Sequence, residues 1–225
     1  MTNKNEIVKK SHELVNARYI LPVGAMKLIC FCASLIEAND TSFDTIVVHA
    51  KAFQEITKVE NPYEELKNIA DALFDAELSI VDEKGMYRER KRWVTTMRYY
   101  EGEGKAEFKF HDDVKPFLLE LKDKAVEYNR NVLDNLFNKY SIRIYELLIQ
   151  NVEGEPGKHY ECVLEIDYLR ALLVLDERYT RFTDLRRYVL EPVCAELNST
   201  DLENVEFEII KTGRIATALK FKYKI

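Results

Sequence analysis

Apolar positions recur with helical spacing in two parts of the chain, and in each part strand-like runs follow the helices. Residues Gly24–Glu37 are apolar on nearly every side, which predicts a helix at the centre of a core. The β-branched run Thr45–His49 predicts a strand, and Ala50–Ile56 predicts a short helix. A further helix starts at Asn61-Pro62, with Asn61 as candidate N-cap, because apolar residues follow at the i, i+3, i+4, i+7 and i+8 positions.

The rest of the first half predicts β-structure and a closing helix. Alternating or β-rich segments predict three strands: Leu78–Val81, Trp93–Tyr100 and Ala106–Phe110. Turn residues between them lie at Lys84-Gly85 and Gly102–Gly104. A closing helix is predicted over Asp112–Leu121.

The second half repeats this order. Its predicted elements are a helix Ser141–Val152 with Ser141 as N-cap, a turn Gly154–Gly157, a strand Glu161–Ile166, a helix from its cap Asp167 to Val174, a long helix Thr180–Asn198, and a hairpin of Asn204–Lys211 and Ile215–Tyr223 around Thr212-Gly213. Equivalent elements lie a nearly constant distance apart along the chain. The order helix, strand, helix, helix, hairpin is that of a winged helix-turn-helix.

The fold class predicted by this pattern is α+β, with two tandem winged-helix domains related by a structural repeat. The repeat is inferred from the pattern, since the halves share little identity. The polar, charge-rich run before residue 138 marks a linker. We therefore expect an N-terminal winged-helix domain over 1–124 that supports dimerisation and auxiliary DNA contacts, a linker over 125–137, and the main DNA reader over 138–225.

Net charge and cysteine usage narrow the class of protein. The chain of 225 residues has a formal net charge of −6, which excludes a histone-like coat of positive charge but leaves local basic surfaces possible. The cysteines are Cys30, Cys32, Cys162 and Cys194; they form no C-x-x-C pair and lack histidines at zinc-finger spacing, so we expect buried thiols in a reducing cytosol. The N-terminus has no apolar signal-peptide core, and Pro22 and Lys27 interrupt the most apolar stretch. We expect a cytoplasmic protein without membrane contact.

Motifs of the common nucleotide-dependent enzymes are missing. The chain contains neither a P-loop nor a GxGxxG fingerprint. A nicking initiator of the rolling-circle type needs two neighbouring histidines, whereas the histidines lie far apart at 12, 49, 111 and 159. Acidic pairs such as Glu64-Glu65 suit helix ends better than metal sites. The spacing does not exclude a catalytic pair of a cysteine nucleophile and a histidine, but nothing favours one. We therefore expect no catalytic site, no metal and no cofactor.

Basic residues concentrate in three windows of the sequence. The window 84–98 holds Lys84, Arg88, Arg90, Lys91, Arg92 and Arg98 against the single acid Glu89. The window 178–187 holds four arginines and Asp184. The window 211–224 holds five basic residues and no acidic residue: Lys211, Arg214, Lys220, Lys222 and Lys224. In a winged helix the last two windows are the start of the recognition helix and the wing, which face the same duplex.

The helix from Thr180 offers side chains suited to reading bases. Its predicted core face is Phe182, Leu185, Val189, Val193 and Leu197. Arg181, Asp184 and Arg187 lie opposite, where arginine fits guanine O6/N7 and aspartate accepts from cytosine N4. Arg178, Arg186, Lys211 and Arg214 are placed to neutralise phosphates. A solvated helix face with incidental arginines is an equally weighted alternative.

The corresponding helix of the first module has an acidic exposed face, including Glu64, Asp71 and Asp75. We therefore expect this module to read bases weakly. Its contacts would come from Lys58 and Lys67, or from Arg90 and Lys91 in its wing.

Several segments resemble the iteron-binding plasmid replication initiator (Rep) family. They are NKYSIRIYELL (Asn138–Leu148), YTRFTDLRRYVLEPVCAELN (Tyr179–Asn198), KTGRIATALKF (Lys211–Phe221), RWVTTMRYYEGEGKAEFKFHDDVKPFLLEL (Arg92–Leu121) and, more loosely, ARYILPVGAMKLICFCASLI. The resemblance covers almost the whole chain. The ordered set of segments is specific, although no single segment is.

The resemblance implies binding to direct repeats in double-stranded DNA at a plasmid origin, opening of AT-rich DNA, and recruitment of the host replication initiator and helicase. It also implies a homodimer in equilibrium with monomer, the dimer repressing its own gene. Arg181, Asp184 and Arg187 fall on family positions that face bases, with Arg186 beside them. Tyr188 stands where some relatives have arginine, and Pro192 is expected to kink the helix after its DNA-facing turns. A tandem winged-helix transcriptional regulator is the alternative, and a protein-binding scaffold is a third.

Overall fold

The chain divides into two compact units, Met1–Asp134 and Asn135–Ile225, each with its own core. The structure is a computed structural model, and it describes residues 6–36, 40, 42–81, 88–119, 121, 124–152 and 157–225.

The first unit contains helices and strands in the following order: β1 (Ile7–Ser11), α1 (His12–Asn16), α2 (Val23–Ser34), β2 (Ile46–His49), α3 (Ala50–Thr57), α4 (Pro62–Asp75), β3 (Glu77–Val81), β4 (Arg88–Arg92), β5 (Val94–Tyr100), β6 (Lys105–Phe110), a 3-10 turn Asp112–Val114, α5 (Lys115–Leu118) and β7 (Ala125–Asn129). The main sheet is antiparallel with order β2-β6-β5, while β3–β4 and β1–β7 form separate two-stranded pairs. The β5–β6 hairpin is therefore the wing of this unit.

Helix α2 is central to the first core, as its apolar sequence predicts. A Cβ added at Gly24 would lie 3.2 Å from the Ile69 side chain of α4 and 3.3 Å from Phe53 of α3. Glycine is the residue that lets these helices approach so closely. Trp93 is fully buried and packs edge-on against Tyr19, with ring centroids 5.1 Å apart.

A 3-10 turn, Arg130–Asn135, ends the first unit, and the second unit begins at Asn135. It continues with α6 (Lys139–Gln150), β8 (His159–Glu165), α7 (Ile166–Leu172), α8 (Phe182–Leu185), a π-helical turn Arg186–Leu190, α9 (Glu191–Leu197), β9 (Glu203–Thr212) and β10 (Ile215–Lys224). Its sheet order, β8-β10-β9, repeats that of the first unit. Both units are winged-helix domains, and β3–β4 is an insertion in the first copy.

The predicted linker is wrong over its first part. Residues 125–129 form β7, which pairs with β1 along its whole length, from Ile7 opposite Asn129 to Ser11 opposite Ala125. Val126 and Tyr128 are buried while Glu127 is exposed. This alternation is a strand pattern, and the surrounding charges concealed it.

The other differences from the predicted elements also have identifiable causes. Strand β4 was not predicted, because its sequence RERKR has no apolar alternation and it depends on pairing with β3. The closing helix 112–121 is instead a 3-10 turn followed by α5, since Pro116 cannot donate a backbone hydrogen bond there. The turn at Lys84-Gly85 and residues 154–156 lie outside the described residues.

Two helix caps in the second unit also differ. Asn138, not Ser141, caps α6, and its Oδ1 accepts a hydrogen bond from the Tyr140 amide at 2.9 Å. Ser141 is instead fully buried inside the helix. Glu165 precedes α7, so Asp167 lies in its first turn, where a carboxylate complements the positive end of the helix dipole.

Candidate nucleic-acid interface

The helical segment 182–197, made of α8, the π-helical turn and α9, is called the reading helix below. Of its predicted core residues, Leu185, Val189, Val193 and Leu197 are fully buried, while Phe182 at the start of the helix is half-buried. The four fully buried residues recur every four positions, so on a regular α-helix they would drift by about 120° over three turns. A wider turn corrects this drift.

The wider turn is the π-helical segment Arg186–Leu190. The Glu191 amide donates to the Arg186 carbonyl, five residues back. Pro192 follows at once and has no amide proton for the carbonyl four residues earlier. The expected distortion at Pro192 is therefore real, but it falls on Arg186 and Arg187 rather than after them. It sets the direction in which these two arginines leave the helix.

Arg170 of α7 holds the loop that leads into the reading helix. Its Nη1 donates to the Arg178 carbonyl at 3.2 Å, and its Nη2 donates to the carbonyls of Tyr179 at 2.6 Å and Thr180 at 3.3 Å. Tyr179 has a φ of 51°, a left-handed conformation that is unfavourable for a bulky residue. Arg170 was not predicted as a functional residue, because nothing in its spacing indicates that it contacts carbonyls eight to ten residues later.

Three predicted arginines at the start of the reading helix are exposed. Arg178 lies in the preceding loop, Arg181 is the N-cap residue of α8, and Arg187 lies in the π-helical turn. Among the described residues none of the three forms a side-chain ion pair. Asp184, in the first turn, is half-buried. Unpaired guanidinium groups are available to base edges or phosphates.

Aromatic contacts order this surface further. The ring of Tyr188 stacks on that of Tyr179 with centroids 5.7 Å apart. The Arg187 guanidinium lies 5.3 Å from the Tyr188 ring centroid. Tyr188 is 51% exposed. The position was noted in the sequence only as a departure from arginine, and the structure shows that it supports Arg187.

Arg186 differs from its neighbours because it is ion-paired. Its Nε donates to a Glu191 carboxylate oxygen at 2.8 Å. Arg186 and Lys211 line an open cleft of about 530 Å³ between the reading helix and β9, together with Glu191, Glu206 and Glu208. A phosphate contact by Arg186 would have to compete with Glu191.

The wing of the second unit, β9–β10, separates its bases into two groups. Lys211 lies near the end of β9, and Arg214 lies in the two-residue turn beside Gly213, whose φ of 63° suits glycine. Both are exposed and, in the described part of the chain, form no ion pair. They are the wing bases available to an external anion.

Lys220, Lys222 and Lys224 lie on the outer face of the sheet, alternating with the buried Leu219, Phe221 and Tyr223. The antiparallel register places carboxylates beside them. Three ion pairs result: Lys220–Glu161 at 3.0 Å, Lys222–Glu208 at 2.5 Å and Lys224–Glu203 at 2.8 Å. The Lys222 ammonium lowers the pKa of Glu208, and Lys224 does the same for Glu203. The window 211–224 therefore does not form one positive surface.

The four candidate residues of the first unit are all paired with carboxylates. These pairs are Lys58–Asp134 at 3.7 Å, Lys67–Glu101 at 2.5 Å, Lys91–Glu89 at 2.6 Å, and Arg90 with Glu77. Arg90 and Lys91 lie on β4 and not in the wing, which corrects their predicted placement. Lys84 of the same basic window lies outside the described residues.

The groove of the first unit is also closed. Lys67 of α4 reaches Glu101 at the wing tip and lies 5.6 Å from the Tyr99 ring centroid. The Tyr99 hydroxyl donates to the Tyr63 carbonyl at 3.3 Å. These contacts tie α4 to its wing, whereas the corresponding cleft of the second unit is open.

The described residues contain no group of three or more histidines, cysteines or acids arranged to hold a metal ion. Burial and the nearby Glu191 raise the pKa of Cys194 to about 12. No helix in the described ranges is both long and apolar enough to cross a bilayer.

Two family models and two Escherichia coli proteins match this chain in sequence. Residues 7–149 match the family model described as Initiator Replication protein, WH1, and residues 165–223 match Initiator Rep protein, WH2. A replication initiation protein of Escherichia coli is 26% identical over 225 residues, covering 97% of this chain and 70% of that protein. An uncharacterized 27.6 kDa protein of Escherichia coli is 22% identical over 229 residues, covering 95% and 94%.

Two solved structures share the fold. The Pi initiator protein, crystallised in complex with iteron DNA, superposes with a TM-score of 0.82 at 19% identity, covering 100% of this chain and 99% of that one. Domains 2 and 3 of RctB give a TM-score of 0.50 at 10% identity, covering 90% and 81%. At these identities the likeness concerns the fold.

Proposed function

This chain belongs to the initiator replication protein family, with a WH1 and a WH2 domain, and we propose that it initiates plasmid replication by binding iterons in double-stranded DNA. Iterons are direct repeats at the origin. The observation that carries the proposal is the set of cations on the reading helix and wing of the second unit that form no ion pair with any described residue, on a fold that the Pi initiator shares. The chain itself would act by binding, without a catalytic site.

The second unit supplies most of the sequence recognition. Arg181 and Arg187 contact guanine edges, and Asp184 accepts from cytosine N4. The remaining second-unit candidates contact phosphates: Arg178, Arg186, Lys211 and Arg214. The distinction follows from position, because the first turns of a recognition helix reach base edges.

The first unit contributes auxiliary contacts and the dimer surface. Lys58, Lys67, Arg90 and Lys91 can reach a phosphate only by leaving a carboxylate partner. Each exchange contributes less binding free energy than a phosphate contact by a lysine or arginine that has no carboxylate partner, because one ion pair replaces another. The first unit is therefore the weaker reader.

We propose the later steps of initiation on the basis of the likeness to this family. Monomers bound to the repeats open the adjacent AT-rich DNA in the cytoplasm and recruit the host initiator and helicase. A homodimer represses the protein's own gene. Origin opening and host recruitment, but not repression, distinguish an initiator from a transcriptional regulator with the same two domains.

Binding is tested by fluorescence anisotropy, comparing the repeats that flank the gene with scrambled duplex. We expect a preference of about 10³-fold or more, with affinity falling steeply as salt rises. Arg187→Ala should lose about 1–3 kcal/mol and relax the preference at one base pair. Equal, weak binding to both duplexes would refute specific reading by the second unit.

Initiation is tested separately from binding. A plasmid carrying the repeats and the gene should replicate, and Arg187→Ala should abolish its maintenance. If the protein binds its repeats specifically but a plasmid carrying the repeats and the gene is not maintained, the transcriptional-regulator hypothesis replaces the initiator hypothesis.

A further inference from the structure

Ile215 lies at the tip of the wing of the second unit, where the chain turns from β9 into β10. The two-residue turn Gly213-Arg214 separates it from Thr212, the residue with which it pairs. The Ile215 side chain is 71% exposed, the largest fraction of any large apolar residue in the described part of the chain. A single exposed apolar residue is ordinary on a protein surface. The exposure of Ile215, however, is produced by a distortion of the strand that carries it.

A β-bulge in β10 removes Ile215 from the core side of the wing. Strict alternation along the strand would place Ile215 on the inner face, together with the buried Leu219. The register with β9 instead shifts by one residue between Ala216 and Ala218. The extra residue, Thr217, moves Ile215 to the outer face of the hairpin. The bulge therefore turns toward solvent an isoleucine that regular alternation would bury.

Contacts of its extra residue hold this bulge in place. The Thr217 hydroxyl donates to the Ile210 carbonyl at 3.5 Å. It also lies 3.3 Å from the Thr212 hydroxyl, within hydrogen-bonding distance. Both contacts join β10 to β9 directly below the tip. Bulges of this kind redirect side chains next to functional sites, and this one fixes the direction of Ile215.

Two cations accompany Ile215 at the wing tip. Arg214 precedes it, and Lys211 lies across the hairpin, opposite its neighbour Ala216. Both cations are exposed and form no ion pair with a described residue. Phosphates line both rims of the minor groove, which is only about 6 Å wide, so a side chain fits where a two-stranded ribbon does not. Cations on the rims would therefore place the apolar side chain over the floor of the groove.

The wing of the first unit shows that this arrangement is not required by the fold. Its tip between β5 and β6 has the sequence Glu101-Gly102-Glu103-Gly104, which contains no apolar residue. Glu101 pairs with Lys67 at 2.5 Å, and Glu103 pairs with Lys105 at 2.8 Å. Two carboxylates at a wing tip are repelled by phosphates. The same hairpin therefore carries an exposed isoleucine and available cations only in the second unit.

We propose that Ile215 enters the DNA minor groove as an apolar wedge between two base pairs, while Lys211 and Arg214 contact the phosphates beside it. The inference rests on the proposed function, in which the second unit binds duplex DNA. An inserted apolar side chain partly unstacks one base step and kinks the duplex toward its major groove. Pyrimidine–purine steps such as TA and CA/TG are the easiest to unstack. The wedge therefore selects a flexible step through its deformability, without a hydrogen bond to a base.

The test uses the full chain and repeat duplexes that each carry a mismatch at one base step. A mismatched step is already partly unstacked, so wild-type protein should bind about tenfold more tightly when the mismatch lies at the wedge step. Ile215→Ala should bind the intact repeat more weakly and gain less than about twofold from the same mismatch. Energy transfer between dyes at the duplex ends should show a kink that is smaller by about 20° or more in Ile215→Ala.

Control variants separate the wedge from a general loss of apolar surface. Ile215→Leu should keep the kink and the mismatch response, since leucine also serves as an apolar wedge. Val163→Ala shortens another exposed apolar side chain of the same unit, on β8, and should leave both as in wild type. The salt slope of Ile215→Ala should equal that of wild type, because no charge is removed. An Ile215→Ala protein with the kink and the mismatch response of wild type would overturn the proposal.

The same measurements separate failure of the wedge from failure of the proposed function. If wild-type protein shows no preference for its repeats over scrambled duplex, the proposed function fails and the wedge fails with it. If wild-type protein is specific but no mismatch tightens its binding, only the wedge fails. If Ile215→Ala binds and bends the repeats as wild type does but no longer maintains the plasmid, Ile215 contacts a protein and the wedge is refuted.

Discussion

Salt titration of wing variants should separate the five bases of the window 211–224 into two groups. Lys211 and Arg214 lie at the wing tip without ion-pair partners in the described residues. The other three bases lie on the outer face of the sheet, each paired with a glutamate. We predict that the double variant Lys211→Ala/Arg214→Ala changes the salt dependence of DNA binding. The matched variant Lys222→Gln/Glu208→Gln, which removes an ion pair at constant net charge, should not.

The size of the effect follows from counterion release. Each phosphate contact contributes about 0.9 to the slope of log affinity against log salt, so losing two contacts lowers the slope by about 1.8. Between 50 and 200 mM salt this reduces the loss of affinity by about 12-fold. The Lys222/Glu208 variant leaves the number of phosphate contacts unchanged, so its slope should equal that of wild type.

The assay is anisotropy of a labelled repeat duplex at several salt concentrations, with urea unfolding of each variant to confirm that it is folded. Scrambled duplex should show the same change of slope in the tip variant, since phosphate contacts carry no base preference. A fall of about 0.9 in the Lys222/Glu208 variant, or an unchanged slope in the tip variant, would refute the division of the wing into two faces.

Three further predictions concern the elements that position the reading helix. Arg170→Ala should lower the free energy of unfolding by roughly 2 kcal/mol in urea titrations and weaken binding to every DNA sequence, since three carbonyls lose a charged donor. Arg170→Lys should fall between wild type and Arg170→Ala, and normal DNA affinity in Arg170→Ala would contradict this positioning role. Pro192→Ala should keep the base preference of wild type in competition binding, because the apolar spacing still requires the π-helical turn; a shifted preference would assign that turn to Pro192 alone. Burial raises the pKa of Asp201, which accepts a hydrogen bond from the Tyr145 hydroxyl at 3.0 Å, so its contribution to stability grows as the pH falls through its folded pKa. Between about pH 4 and 7, the free energy of unfolding of wild type should therefore rise relative to that of Asp201→Asn as the pH falls. A difference that does not change with pH would contradict the burial.

Much of the fold could be predicted from local pattern. Helix α4 starts at Pro62 after Asn61, as the proline and the apolar spacing indicate, although the Asn61 side chain makes no capping hydrogen bond and instead donates to Glu64. The hairpin around Gly213 and the buried face of the reading helix also agree. These features depend on residues within a few positions of one another, where periodicity and turn chemistry are informative.

Elements that depend on distant partners were missed. Strand β7 was assigned to the linker because its partner β1 lies more than a hundred residues earlier. Strand β4 has a sequence with no strand pattern of its own and follows β3. The candidate site shows the same limit, since Arg170 and Tyr179 act through contacts that spacing does not indicate.

The sequence by itself determined the repeated order of helix, strand, helix, helix and hairpin, the duplication of the winged helix, and the arginines at the start of the reading helix. Only the tertiary structure decided which charges are available. Lys220 and Glu161 meet because antiparallel pairing of β10 with β8 brings them together, and Lys67 is held by Glu101 because α4 packs beside its wing. Coulomb interactions depend on distance in space, so a window of sequence can count bases but cannot show which of them already have a carboxylate partner.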